Sequence, residues 1–81
     1  MNSKSVWIID DDRAIRWVLE RALTQAGLQP QCFEDAGTAL KRLSSQQPVA
    51  IVTDIRMPGL DGLAFLGKVR EQHPDLPVII M

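Results

Sequence analysis

The chain has 81 residues, 46% of them hydrophobic and 23% charged, with a formal net charge of −1. A chain this short buries roughly 60% of its unfolded surface, enough for one small core, and its ordinary globular composition argues against disorder. No apolar run approaches the ~18 residues that span a bilayer, the start "MNSKSVWIID" meets an acid too early for a signal peptide, and no basic block offers a surface for a nucleic-acid backbone. The expectation is a cytoplasmic chain with neither a membrane nor a direct nucleic-acid partner.

Strand-like and helix-like stretches alternate along the chain. "VWII" (6–9) reads as a buried strand. A helix follows, with Asp12 placed to cap it, Ile15, Leu19, Ala22, Leu23 and Ala26 on one stripe, and Gly27 closing it. "QPQCF" (29–33) is a weaker strand whose Pro30 fits an edge. Its Cys32 is the only cysteine of the chain, so an internal disulfide is excluded and a small buried thiol with no chemical role is expected.

Asp35 is placed to cap a second helix with Ala39, Leu40 and Leu43 on its inner face, ended by "SSQQP". "VAIVT" (49–53) is the third strand. Beyond the Pro58 and Gly59 turn, Asp61 is placed to cap a third helix carrying Leu63, Leu66 and Val69, which ends near His73 and Pro74. "LPVIIM" (76–81) is the fourth strand.

This β-α-β-α-β-α-β order predicts an α/β fold, a doubly wound parallel sheet with helices on both faces. If strands 2 and 3 flank strand 1, giving the order 2-1-3-4, right-handed crossovers put helix 1 on one face and helices 2 and 3 on the other. Ligands in such sheets bind beyond the carboxyl ends of the strands where the winding reverses, here between strands 1 and 3.

Those two strands end in acids: Asp10, Asp11 and Asp12 after "VWII", Asp54 after "VAIVT". Two like charges 4 Å apart repel by about 1 kcal/mol in water and about 4 kcal/mol at an effective dielectric of 20. One acid suffices to cap a helix, and three in a row exceed that need. Gathered at a partly buried rim, the acids call for a cation. Mg2+ suits them, because it takes oxygen ligands, keeps several waters and is shared readily between carboxylates and a phosphate.

"IIDDD" (8–12), "DIRMPGLDGL" (54–63) and "LPVIIM" (76–81) resemble the receiver domain of two-component response regulators. "AIRWVLERAL" (14–23) taken with "DIRMPGLDGLAFL" (54–66) resembles the nitrogen-regulation branch of that family. The resemblance implies a three-layer, flavodoxin-like (CheY-like) sheet and a part in transcriptional control. It implies that Asp54 is the phospho-acceptor, that Asp11 binds Mg2+ directly, that Asp10 acts on the metal through water and that the Arg56 main-chain carbonyl is a further ligand. The phosphodonor would be the phosphohistidine of a sensor histidine kinase, so His73 is expected to have no chemical role.

The resemblance also sets expectations that the chain does not meet. Receivers run to about 120 residues, an ordinary domain size, and continue past the fourth strand with a hydroxyl residue, then a phosphate-pairing lysine that ends the fifth. Residues 1–81 are therefore expected to be a single receiver domain, truncated after its fourth strand, impaired in phosphotransfer and not an enzyme in its own right. Helix 1 alone cannot cover its face of strands 3 and 4, so the chain is expected to associate with itself, by edge pairing, face packing or domain swapping. A self-associating module without phosphotransfer is the alternative reading. A phosphohydrolase with an aspartyl nucleophile would carry a second Asp two residues after Asp54, where this chain has Arg56.

Overall fold

The computed structural model describes residues 4–54 and 62–81. Seven elements follow one another: β1 (Ser5–Ile9), α1 (Arg13–Gln25), β2 (Gln29–Phe33), α2 (Ala36–Leu43), β3 (Ala50–Thr53), α3 (Gly62–Gln72) and β4 (Val78–Ile80). All strand pairings are parallel and the order across the sheet is β2-β1-β3-β4. Both the α/β class and the strand order thus agree with the sequence-based reading.

Caps set the helix boundaries. Asp12 Oδ1 accepts the main-chain N–H groups of Ala14 (2.8 Å) and Ile15 (3.3 Å), satisfying donors that the first turn of α1 leaves without helical partners. Asp35 does the same for α2, accepting from Thr38 N at 2.8 Å. At the far end of α1, Gly27 takes a φ of 85°. The N–H of Gly27 then returns to Thr24 O and that of Leu28 to Leu23 O, both at 3.0 Å, a Schellman closure in which glycine meets no Cβ penalty. The predicted Asp61 cap and the Pro58 and Gly59 turn lie outside the described residues.

The two faces of the sheet are covered unequally. On one, Trp7, Ile9, Phe33 and Ile51 pack with Ala36, Ala39 and Leu43 of α2, Phe65 and Val69 of α3, and Leu76, all buried. Trp7 and Phe33 meet at 4.8 Å between ring centroids, tilted by 55°, a geometry aromatic pairs favour. On the other face α1 lies over β1 and β2 and buries Val6 and Ile8. Farther along that face Val52 is half-buried and Ile79 of β4 is 55% exposed.

Three sequence expectations need correction. The α1 stripe does not become core: Ile15 is exposed, Leu19 and Leu23 are half-buried, Ala22 and Ala26 are exposed, and no residue of α1 is fully buried. One helix face over half a sheet has too little partner surface to enclose its side chains. In α3, Phe65 and Val69 are the buried pair and Leu63 is exposed. Leu63 lies two residues, and so about 200° of helical turn, from Phe65. Finally, β4 is limited to Val78–Ile80, and Leu76 is buried from the preceding loop.

Candidate acidic site at the ends of strands 1 and 3

The pairing that makes β1 and β3 neighbours also aligns their ends. Ile9 lies beside Thr53, so the next residues, Asp10 and Asp54, leave the sheet together. The N–H of Asp54 donates to Ile9 O at 2.9 Å, and that of Asp10 donates to Phe33 O at 3.1 Å. On the outer side Met81 N donates to Thr53 O at 3.0 Å. Each acid therefore begins from main chain that is still held by the sheet.

Asp10, Asp11 and Asp54 come together as expected, each offering one carboxylate oxygen within 4.8 Å of the other two. Their environments differ. Asp10 is buried, Asp54 half-buried and Asp11 exposed, a gradient from the sheet out to solvent. Asp10 Oδ1 accepts the N–H of Asp12 at 2.8 Å, and Asp12 itself turns away to cap α1.

Burial pushes the Asp10 carboxyl above the ordinary carboxylate range. The Asp12 N–H works against that shift, and the charges of Asp54, Asp11 and Asp12 add to it. A buried acid raised by its neighbours is a site whose charge is not balanced by the protein around it. The donors are all hard oxygens, at unequal depth and with an open outer side, which fits a divalent cation that keeps part of its water. Asp10, Asp11 and Asp54 are the described residues able to hold one. Arg56 lies outside the described residues.

Two further residues support this rim. Arg16, one turn into α1, reaches back and donates from Nη1 to the main-chain O of Asp10 at 2.6 Å. Thr53, fully buried, donates its hydroxyl to Asp54 O at 3.1 Å. Neither was legible as a site residue, since a long side chain returning over six positions follows no helical or strand period. His73 lies at the end of α3, where its N–H donates to Val69 O at 2.6 Å, and is absent from the acidic group. Cys32 is half-buried rather than fully buried as expected, because its Sγ reaches the exposed α1 side and donates to Glu20 Oε2 at 3.6 Å. Burial first, and then Glu20, hold its thiol above its ordinary range, which opposes reactivity.

Residues 6–81 match the family model described as the response regulator receiver domain. The chain belongs to the response regulator receiver family. It is 53% identical, over all 81 of its residues, to the DNA-binding transcriptional regulator NtrC of Proteus hauseri, of which it spans 17%. Among solved structures, the apo receiver domain of nitrogen regulatory protein C (NtrC) superposes with a TM-score of 0.89 at 53% identity, covering 100% of this chain and 65% of that one. TrrA of Thermotoga maritima, in complex with Mg(2+)-BeF, gives a TM-score of 0.91 at 31% identity over 95% of this chain and 67% of that one. The receiver is thus NtrC-like, and its CheY-like fold is that of the family. Among the described residues no helix is long and apolar enough to cross a membrane.

Proposed function

We propose that this receiver accepts a phosphoryl group on Asp54 from a sensor histidine kinase, with Mg2+ held at the acidic rim, as the input step of nitrogen-regulatory transcriptional control in the cytoplasm. The observation that carries the proposal is the convergence of Asp10, Asp11 and Asp54 within 4.8 Å at the switch point of a receiver sheet. One relative supports it in two structures: TrrA holds Mg(2+)-BeF in one, and is in complex with the histidine kinase ThkA in the other.

Asp54 supplies the nucleophile. One of its carboxylate oxygens forms a bond to phosphorus while the bond from phosphorus to the histidine nitrogen breaks, and the nitrogen keeps that electron pair. The product is an aspartyl phosphate. A carboxylate is a weak nucleophile, and the approach of two anions is the main barrier. Mg2+ supplies the positive charge that lowers it.

Asp11, exposed at the outer end of the group, is assigned as a direct ligand. Asp10, deeper and already accepting from Asp12 N, is assigned to act through water. The Arg56 carbonyl is assigned as a further ligand by its place in the family motif. Residues 1–81 are assigned to a single receiver domain, of which they span part, serving as a phospho-acceptor and not as an enzyme.

The reading is tested by incubating the chain with acetyl phosphate and Mg2+ and measuring intact mass. A slow, partial label of one phosphoryl group is expected on the parent and none on Asp54→Asn. A label that persists in Asp54→Asn would remove Asp54 as the acceptor.

A further inference from the structure

Asp10 is the hinge between the sheet and the acidic turn, and the peptide planes on its two sides are held by different partners. The plane joining Ile9 to Asp10 belongs to the ladder: Ile9 O accepts from Asp54 N, and Asp10 N donates to Phe33 O. The plane joining Asp10 to Asp11 has left the ladder, and Arg16 Nη1 takes its carbonyl oxygen at 2.6 Å. Because a peptide unit is planar, fixing that oxygen fixes the direction in which the chain enters Asp11. The main chain of Arg16 is anchored in the same turn, since its backbone N–H donates to Asp12 O at 3.1 Å at the start of α1.

We infer that Arg16 is a positioning residue of the acidic site: by gripping the Asp10 carbonyl it aims the Asp11 carboxylate toward Asp10 and Asp54 without itself contacting the cation. The inference rests on the reading of the three acids as a Mg2+ site and deepens it. A charged donor makes a strong hydrogen bond. Here that bond goes to a neutral main-chain carbonyl and not to a carboxylate.

Positioning and plain electrostatics predict opposite signs. A guanidinium near the site repels a second cation, so if charge were its whole effect its removal would tighten Mg2+ binding. If it orients Asp11, removal loosens binding, and supporting groups of metal ligands typically matter by about 10-fold or more.

The test is calorimetric titration of Mg2+ into the 81-residue chain and into Arg16→Met, Arg16→Gln and Asp11→Asn, with thermal unfolding of each in EDTA. Arg16→Met and Arg16→Gln are expected to weaken Mg2+ about 10-fold while melting in EDTA within a few degrees of the parent. Unchanged or tighter Mg2+ binding in both overturns the inference, and so does failure of both to fold, which would make the bond purely structural. Asp11→Asn separates the two levels. If it leaves Mg2+ affinity intact, the metal-site reading itself fails; if it weakens Mg2+ while the Arg16 variants do not, only the role of Arg16 fails.

Discussion

A carboxylate is costly to bury, and Asp10 is buried beside two others. Its pKa is raised, first by burial, so the folded chain holds the proton more tightly than the unfolded chain does. The sign follows by linkage: Asp10's contribution to stability is fully present below the unfolded carboxylate value, about 3.9, and is lost as pH rises through the raised folded value. At neutral pH without Mg2+ the site is therefore a destabilising element. Asp10→Asn keeps the oxygen that accepts from Asp12 N and removes one charge, so it is expected to raise stability in EDTA by about 1 kcal/mol. Urea unfolding at pH 7 and pH 4 checks this: the gain is expected at pH 7 and is expected to shrink toward pH 4. A gain that grows on acidification contradicts the assignment.

The elements were legible where local chemistry decides them. Asp12 and Asp35 announced their helices, Gly27 its turn, and the apolar runs their strands, because caps and left-handed positions depend on residues adjacent in sequence. The meeting of Asp54 with Asp10 and Asp11 was also legible, since crossover handedness leaves one crevice for them. Which apolar residue would find a partner was not. Leu63 and Phe65 are equally apolar neighbours in sequence, and only the position of α3 on the sheet puts Phe65 inside. Phe65→Ala is expected to cost about 3 to 5 kcal/mol, against about 0.5 kcal/mol or less for Leu63→Ala. Chemical denaturation of the pair measures the contrast, and equal costs would move the α3 interface.

The molecule as a whole is well covered on the α2 and α3 face and open beyond β1 on the α1 face. Ile79 and Val52 lie on that open half of the sheet, and Trp17 and Val18 of α1 are also exposed, at 57% and 55%. β4 is an edge strand. Apolar surface and an unpaired strand edge together favour association. The 81-residue chain is therefore expected to sediment as a dimer or larger species as concentration rises, and Ile79→Lys is expected to shift it toward monomer. A monomer at all concentrations would remove this expectation.

The same inequality of faces divides the two indoles. Trp7 is sealed against Phe33 at 1% exposure, and Trp17 stands outside with the Arg21 guanidinium 4.9 Å from its ring centroid. The chain thus carries two built-in optical reporters. Emission that acrylamide quenches comes from the helix surface, and the shielded remainder comes from the core, so light alone can tell a partner arriving on α1 from a loosening of the interior.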